Sequence, residues 1–502
     1  MGKKSKPVAA VALAPAIERA LEEVDAACRA EAWESYEDNV LQAAATLEAA
    51  VGQLRRAWHA DIGDTVVECD AAARAQQRTA LLDWALASGA TAHAAVTLDA
   101  FGQSGGTRVV AAAAVEAGAV VFAIPQRLML RACGADAIGA FALALEGASP
   151  TVALAVRVAH EALKGDASDW APYLAALPRS FDLPLCWPAD ALAVLRGSPA
   201  LHRACGSRRA AAKAYCEVVR AARVSPALAA ALPLCKFDWA LWEWAMGAVV
   251  TRQNAVPDAA KPRDAPKLAL VPLWDMCNHK RGAATTEFVV RGPSEDGESG
   301  FLEMRAAGQV APGAEIAMCY GARSNSEFVL HSGFFDDETN PNDRVDVYLQ
   351  FDDPRDKKLD ALLATLLEGA GVPLTKRGWR GFLVHSPDGA GGVVTDAALL
   401  AALLAAVADK PQAAHLMRCA HAGAPWTAAD GLHSSKVARR LQDKIAAQVE
   451  ARIAAAPDAP GEAARPHHAQ IALRLVRAEV ALLRQGGDYA RAILADAGGT
   501  AP

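Results

Sequence analysis

The sequence has 502 residues, a formal net charge of −6 at pH 7 and 53 % hydrophobic residues. A chain of this length exceeds one compact core, so two or three domains are expected. The mild negative charge argues against a nucleic-acid-binding surface, which normally requires a basic face. Alanine makes up much of the apolar content, which favours a helix-dominated fold.

The cysteine pattern and the chain start suggest a cellular compartment. Ten cysteines are scattered between Cys28 and Cys419 without a CxxC pair, so neither a zinc site nor a disulfide framework is indicated. A reduced intracellular compartment is therefore expected. The start MGKKSKPVAA lacks the long apolar core of a signal peptide. We expect a cytoplasmic protein that binds no membrane, and the basic GKKSK leaves a nuclear location open.

The first third of the chain predicts helices followed by strands. Apolar and charged positions at helical spacing predict helix over 15–60, and QQRTALLDWALASGA predicts a further helix that ends at Gly89. Residues 107–125 then contain two β-rich runs joined by the turn VEAG. The segments AAAVEAGAVV and AGQVAPGAEI both place a valine, two residues and a glycine before a strand, which predicts one strand–turn–strand device used twice.

The rest of the chain alternates between helical and β-rich blocks. Helix-rich sequence runs from about 131 to 250, and a β-rich block covers 267–351. Within that block GPSEDGESG (292–300) has the composition of a long hairpin tip. From about 355 to 495 the sequence is helical again, and its run AALLAALLAAVA (397–408) is too short to span a bilayer and predicts a buried helix.

Three polar clusters stand out in or beside the β-rich block: TRQN (251–254), WDMCNH (274–279) and CYGARSNSEFVLHSGFF (319–335). Together with VAPGAEI, they resemble the SET-domain protein methyltransferases. More closely, they resemble the split-SET branch that contains the Rubisco large-subunit methyltransferases and the actin-histidine N-methyltransferases. PLWDMCNH, TRQN and YGARSN are most similar to the actin-histidine members. The resemblance covers nearly the whole chain, and more weakly its C-terminal helices.

The resemblance implies an α+β fold. In this family a SET-domain β-fold with a pseudoknot is interrupted by a helical insertion, here about 131–250, and is followed by a helical substrate-binding domain. The implied organisation is an N-terminal tail with helices over 1–85, a split SET domain over 86–345 and a Rubisco-methyltransferase-like domain over 346–502.

The resemblance also implies a cofactor, S-adenosyl-L-methionine, and the residues that bind it. Tyr320 matches the catalytic tyrosine, and its phenol can donate or accept a hydrogen bond beside a transferred methyl group. From the residues alone, Asp275 either holds the positive end of the cofactor or caps a turn. The family positions assigned to cofactor binding are Arg74, Gln103, Ser104, Gly105, Arg252, Asp275, Met276, Cys277, Asn278, His279, Ser332, Gly333 and Phe334. The family pattern has Glu, Gly and Phe where this chain has Gln103 to Gly105, so only backbone contacts carry over there.

The acceptor is predicted from Asn254, Trp274 and Arg323. Lysine-directed relatives carry an aromatic residue at the place of Asn254 and lack the tryptophan, whereas an imidazole benefits from a polar partner that fixes its nucleophilic nitrogen. Arg323 is expected to orient the substrate backbone. The resemblance therefore implies a protein-L-histidine N-tele-methyltransferase that binds actin as a monomer. A protein-lysine methyltransferase and a catalytically silent binding module are the alternatives.

Overall fold

In the computed structural model the chain forms two compact units. The first comprises Met1–Ala30, Ala45–Asp182 and Ser207–Gly321, and the second comprises Glu31–Ala44, Leu183–Gly206 and Ala322–Pro502. The residues that the structure describes are 13–34, 37–62, 71–102, 106–132, 138–141, 149–257, 263, 265–281, 286–292, 300–349, 357–369, 371–375, 378–385, 393–408, single positions over 411–418, 434–455 and 466–496.

The helices confirm most of the helical predictions. The predicted 15–60 helix is two helices separated by a short turn, and the next helix ends just before Gly89. The described helices longer than a single turn are α1 Pro15–Arg29, α2 Glu37–Ile62, α3 Ala71–Ala87, α4 Pro150–Leu163, α5 Ala171–Ala176, α6 Ala189–Ala193, α7 Pro199–Val224, α8 Pro226–Ala231, α9 Trp239–Arg252, α10 Asn325–Ser332, α11 Lys357–Gly369, α12 Ala397–Val407, α13 Ser434–Ala455 and α14 His467–Asp496.

The strands of the first unit form three small antiparallel sheets, with the orders β1-β4-β9-β8, β10-β3-β2 and β5-β7-β6. Their bounds are β1 Thr91–Ala92, β2 Val96–Phe101, β3 Gly106–Ala111, β4 Val120–Pro125, β5 Leu130–Arg131, β6 Asn254–Val256, β7 Lys267–Leu270, β8 Thr286–Arg291, β9 Phe301–Ala306 and β10 Glu315–Ile316. Because β4 pairs with β9 and β3 with β10, strands from before and after the insertion share sheets. The antiparallel pair β8–β9 confirms that 292–300 joins a hairpin, although most of that loop lies outside the described residues.

The predicted strand–turn–strand device occurs twice, and the two copies pair with each other. Each turn joins strands of different sheets, β3 to β4 in the first copy and β9 to β10 in the second. The two turns meet at Val115 and Val310, which exchange backbone hydrogen bonds of 3.0 and 2.9 Å. The turn glycines Gly118 and Gly313 both have φ = 76°, a left-handed conformation that favours glycine. The paired turns therefore connect the strands before the insertion to the strands after it.

The insertion helices of the first unit surround an aromatic core. The Trp58 indole donates to the Tyr215 hydroxyl, which donates to the Phe237 carbonyl at 3.0 Å, and the Trp242 indole donates to the Ala211 carbonyl. All four of these side chains are buried. Helix α9 begins at Asp238, whose carboxylate accepts from the Leu241 N–H as an N-cap. These contacts fix α9, which carries Arg252 at its last turn.

The second unit is mainly helical, but it also contains a sheet. The sequence predicted only the first strand of this sheet, within the β-rich block 267–351. Strands β11 Arg344–Leu349, β12 Leu374–Thr375, β13 Gly378–His385 and β14 Val393–Thr395 pair antiparallel, with β13 central. The α12 helix packs on β13 and confirms the predicted buried helix at 397–408. The contact is close because Gly381 has no side chain: a Cβ there would lie 2.3 Å from the Leu399 nitrogen. Among the described residues, no helix is long and apolar enough to cross a membrane.

Candidate functional site

The segment after β7 carries the densest cluster of predicted site residues. Leu273 has φ = 70° and ψ = −50°, a rare and strained conformation for a residue with a side chain. A short 3-10 turn, Trp274–Met276, follows at once, and its three side chains are buried. Such strain costs on the order of 1–3 kcal/mol and persists only where the surroundings enforce it. Here it turns the chain abruptly, so that Asp275 and Trp274 enter the interior of the first unit.

The chain after this turn is fixed beside the segment that carries Tyr320. His279 bridges Met318 in parallel, with Met318 N–H donating to the Asn278 carbonyl and Lys280 N–H to the Met318 carbonyl, both at 3.0 Å. This bridge places the cluster 274–279 beside the cluster that begins at 319, although the two lie about forty residues apart in sequence. Their backbones are roughly one interstrand spacing apart.

The Tyr320 hydroxyl has a defined orientation. It donates to the Cys277 carbonyl at 2.9 Å, while the Tyr320 backbone N–H donates to His279 Nδ1 at 3.1 Å. The His279 and Tyr320 rings lie 5.2 Å apart. Because Nδ1 accepts a hydrogen bond, the neutral imidazole of His279 carries its proton on Nε2. The phenol proton is committed to Cys277, which leaves the oxygen lone pairs to point away from that carbonyl.

Asn278 and Cys277 are each held by a hydrogen bond, Asn278 to the Glu315 carboxylate and Cys277 to the Trp274 carbonyl. The Asn278 amide donates to Glu315 Oε1 at 2.7 Å, a partner that the sequence did not indicate. The Cys277 thiol is buried, and this burial, with a smaller effect of Asp275, raises its pKa. The Cys277 N–H donates to the Trp274 carbonyl and the Met276 N–H to the Leu273 carbonyl. These two backbone hydrogen bonds therefore stabilise the turn.

Asp275 forms a buried polar cluster with Tyr173 and Arg252. The Tyr173 hydroxyl on α5 donates to Asp275 Oδ2, and both residues are almost fully buried. Burial raises the pKa of Asp275 to about 6, opposed by the charge of Arg252 and by the Tyr173 hydrogen bond. Within the described chain, Asp275 Oδ1 and Arg252 Nε are buried without a hydrogen-bond partner. Tyr173 was missed because α5 is short and its neighbours in sequence carry no site residue.

Asn254 and Trp274 are both next to β7: Asn254 lies in the paired strand β6, and Trp274 follows β7 along the chain. Asn254 begins β6, directly opposite Ala269 of β7, and its amide donates to the Arg252 carbonyl at 2.9 Å. That bond leaves Asn254 Oδ1 as the acceptor end of the amide. The Trp274 ring packs against Phe288 of β8 at 5.1 Å, and Phe288 is half-exposed. Phe288, like Glu315 and Tyr173, was missed by sequence reasoning, because nothing local distinguishes it from other β8 side chains.

The second unit contains four of the predicted residues, Arg323, Ser332, Gly333 and Phe334. Ser324 and Glu327 form a capping box at the start of α10, and Gly333 ends this helix. The Arg323 guanidinium donates to the Ser332 hydroxyl at 3.3 Å, so one predicted substrate residue and one predicted cofactor residue are in contact. The Phe334 ring packs on Phe328 at 5.2 Å and is partly exposed, whereas Phe335 is buried. This difference identifies Phe335 as the core residue of the pair.

Of the predicted cofactor residues before the insertion, the structure describes only Arg74. Arg74 is partly exposed on α3, a helix that packs against α5 and β2. Gln77, one turn later, has a buried Oε1 without a hydrogen-bond partner in the described chain. Gln103, Ser104 and Gly105 lie outside the described residues.

The residues of the first unit fit S-adenosylmethionine better than a metal ion. Arg252 and Asp275 supply opposite charges with free buried atoms, which suits a zwitterionic methionyl group. Trp274 and Met276 contribute aromatic and apolar side chains from the same turn, and the Tyr320 hydroxyl donates to the carbonyl of Cys277, which follows it. In the part of the chain that the structure describes, no group of three or more His, Cys, Asp or Glu residues is arranged to hold a metal ion.

Comparison with proteins of known sequence finds related methyltransferases. No protein-family model matches the chain. The chain is 36 % identical over 220 residues to actin-histidine N-methyltransferase of Gallus gallus, and 36 % identical over 207 residues to that of Homo sapiens. These alignments cover 44 % and 41 % of this chain and 34 % and 33 % of the relatives. The chain thus matches about a third of the length of these relatives, and the sequence similarity is narrower than the near-complete resemblance predicted above.

Comparison with solved structures covers more of the chain. The SET domain of LSMT, solved with lysine and AdoHcy, superposes with a TM-score of 0.65 at 15 % identity, over 83 % of this chain and 91 % of that one. Rubisco LSMT bound to AdoMet gives a TM-score of 0.59 at 16 % identity, over 83 % and 92 %. The predicted α+β fold is therefore confirmed. The chain has the SET-domain fold of the Rubisco LSMT structures and is related in sequence to the actin-histidine N-methyltransferases.

Proposed function

We propose that this chain is an S-adenosylmethionine-dependent protein-L-histidine N-tele-methyltransferase whose substrate is actin. The observation that carries this proposal is the orientation of Tyr320 by the Cys277 carbonyl and His279 Nδ1, next to the Arg252–Asp275 cluster. The names of the sequence relatives support actin as the substrate. A cytoplasmic location, a monomeric state and the absence of nucleic-acid and membrane partners belong to the same proposal.

The binding residues are assigned by charge and hydrogen-bonding capacity. Arg252 takes the carboxylate of the methionyl group, since a guanidinium binds carboxylates in a planar pair. Asp275 Oδ1 is free to accept from the ammonium group. Asn278 and His279, held by Glu315 and Tyr320, are fixed in orientation to contact the adenine, and Arg74 of the same unit is assigned to the same ligand. When bound, S-adenosylmethionine supplies an electrophilic methyl group on its sulfonium.

Tyr320 provides polarity without forming a covalent bond. Its proton is engaged by the Cys277 carbonyl, so its oxygen presents lone pairs to the partly positive methyl group and acceptor nitrogen. This arrangement stabilises positive charge as it develops on the acceptor and requires no reorganisation of the phenol. Alignment of acceptor and methyl group then supplies much of the rate.

Asn254 determines which imidazole nitrogen reacts. Its amide N–H₂ is engaged by the Arg252 carbonyl, so Oδ1 accepts the N–H of an incoming imidazole at Nδ1. The lone pair on Nε2, the tele nitrogen, is then free to act as the nucleophile. A lysine side chain is less suited to this site, because its ammonium group must first lose a proton and enter along an apolar channel. Trp274, supported by Phe288, forms the flat wall that a planar ring requires, and Arg323 orients the substrate backbone.

Paired peptides test this assignment. We expect a histidine-containing actin peptide to be methylated with a higher kcat/KM than the same peptide with lysine in place of the histidine. Asn254→Phe should lower the histidine rate and raise the lysine rate, because an aromatic side chain removes the acceptor and narrows the channel. Trp274→Ala should widen the site and weaken the preference for either peptide. Mass spectrometry of both peptides with the three proteins gives the ratios, and a wild-type preference for lysine would replace the histidine proposal with a lysine methyltransferase.

A further inference from the structure

The hydrogen bond from Tyr173 to Asp275 has no role in the function proposed above, although it joins the insertion to the site. Tyr173 belongs to α5 and Asp275 to the turn after β7, 102 residues later in the sequence. Both side chains are almost fully buried, and the Tyr173 hydroxyl has no second hydrogen bond among the described contacts. A buried phenol could be satisfied by many backbone carbonyls, yet this one is paired with the carboxylate that lies beside Arg252.

The two carboxylate oxygens of Asp275 have different surroundings. Oδ2 accepts from Tyr173, and Oδ1 is buried without a partner in the described chain. The Asp275 N–H donates to the Val271 carbonyl at 3.1 Å, which fixes the backbone. A carboxylate held at its backbone and at one oxygen presents the other oxygen in a single direction. Arg252 Nε, which also lacks a hydrogen bond, lies near enough to lower the Asp275 pKa by its charge.

We propose that Tyr173 is a positioning residue for the methionyl end of the S-adenosyl ligand: it keeps Asp275 ionised and directs Oδ1 toward the ammonium group beside Arg252. This inference rests on the proposed function, because the ligand is the one assigned there. It assigns a new role to the helical insertion, which supplies Tyr173 and whose last helix, α9, ends at Arg252. The insertion is then part of the ligand-binding apparatus as well as a spacer between the two β-rich blocks.

The proposal predicts a pH-dependent affinity. The ionisable groups that act on Asp275 in the described chain are Tyr173 of α5 and Arg252 of α9, and Asp275 in turn acts on the nearby thiol of Cys277. The pKa values of Tyr173 and Cys277 are raised above their ordinary values, so Asp275 is the group that changes charge between pH 5 and pH 8. Wild-type affinity for S-adenosylhomocysteine should therefore fall as the pH drops through about 6.

Tyr173→Phe removes the hydrogen bond and retains the ring. Loss of one hydrogen bond to a carboxylate raises its pKa by about one unit or more. The midpoint of the affinity curve should move to higher pH by a similar amount. By calorimetry, S-adenosylhomocysteine should bind about threefold more weakly than to wild type at pH 6.5, with a larger factor for a larger shift, and within about twofold of wild type at pH 8.5. A mere packing role for Tyr173 would lower the affinity equally at both pH values.

Two controls separate positioning from stability. Tyr215→Phe removes an equally buried hydroxyl that donates to Phe237, so it should lower the melting temperature without moving the pH midpoint. Asp275→Asn should bind weakly with little pH dependence, and adding Tyr173→Phe to it should change the affinity no further. If Tyr173→Phe does not fold, 3-fluorotyrosine at position 173 retains the volume and is a stronger donor, so it should move the midpoint to lower pH.

The outcomes distinguish the inference from the proposed function. Wild-type protein that binds no S-adenosylhomocysteine at any pH would contradict the proposed function. Wild-type binding with the same pH midpoint in the Tyr173→Phe protein, or in the fluorinated protein, would overturn the role of Tyr173 and leave the proposed function intact.

Discussion

Asp275 should make the protein less stable as the pH rises, and Asp275→Asn should remove this effect. The folded state buries this carboxylate and raises its pKa from 3.8 to about 6, so the folded state binds a proton more tightly than the unfolded state does. The resulting stability is complete below pH 3.8 and is lost as the pH rises through about 6. An asparagine stays neutral and can still accept the Tyr173 hydrogen bond.

The magnitude follows from the rise in pKa. A rise from 3.8 to about 6 corresponds to about 3 kcal/mol of folding free energy over the whole titration. About 1.4 kcal/mol of this lies between pH 5 and pH 8, because part of the loss has already occurred at pH 5. From pH 5 to pH 8, the free energy of unfolding of the Asp275→Asn variant should therefore rise by this amount relative to that of wild type. In a domain of this size it corresponds to about 3 °C in melting temperature.

The assay is thermal unfolding of both proteins without ligand at pH 5, 6, 7 and 8. The difference in melting temperature between variant and wild type should grow steadily with pH. Asp99→Asn is the matched control, since side-chain hydrogen bonds from Arg108 lower the pKa of Asp99 below its ordinary value of 3.8, so Asp99 stays ionised in both states from pH 5 to pH 8 and its difference should stay constant. A difference for Asp275→Asn that is constant across these pH values would refute the burial of a titrating carboxylate at this position.

Three further substitutions test separate parts of the structure. Tyr320→Phe should leave S-adenosylhomocysteine affinity and melting temperature nearly unchanged while kcat falls about tenfold or more, and full activity would show that this hydroxyl is not at the chemistry. Arg252→Ala should weaken S-adenosylhomocysteine binding by about 10- to 100-fold in calorimetry, because a charge-assisted pair is lost; unchanged affinity would contradict the assignment. Gly381→Ala should destabilise the second unit by about 1–3 kcal/mol, since its Cβ would clash with the Leu399 backbone. Gly369→Ala, which has open space around it, is the control and should not destabilise the unit. Equal melting temperatures for the two variants would contradict the close packing of α12 on β13.

The sequence predicted the parts of the fold that depend on local pattern. Helical periodicity and alanine content identify α1, α2 and the buried helix α12, and the valine–glycine spacing identifies both copies of the turn device. The sequence did not predict that the two copies pair with each other. That pairing joins strands almost two hundred residues apart, and no local pattern encodes such a contact.

Strands β12, β13 and β14 of the second unit were missed for a different reason. GWRGFLVH of β13 contains two glycines, which weaken a strand signal, and it lies between strongly helical segments. The structure shows why glycine is required there, since Gly381 lies against the backbone of Leu399. A residue that lowers strand propensity thus makes the packing of helix on sheet possible, and only the tertiary contact reveals it.

The site was predicted where its residues are adjacent in sequence, and missed where they are not. Trp274 to His279 and the Tyr320 segment are dense enough to recognise, and the structure brings these two clusters together at the Met318 bridge. Tyr173, Glu315 and Phe288 each contact one of these residues from another element. Their roles depend on distance in space, which a single sequence does not contain.

The most direct test of the central claim is transfer of an isotope-labelled methyl group to intact actin. The protein is incubated with labelled S-adenosylmethionine and unmodified actin, and the labelled residue is mapped by fragmentation mass spectrometry. Tyr320→Phe, which lacks the oriented hydroxyl, is assayed in parallel. We predict that the label is found on the tele nitrogen of a histidine and that its rate of incorporation falls about tenfold or more in the variant. Label on a lysine, or no label with a wild-type protein that binds S-adenosylhomocysteine, would contradict the account.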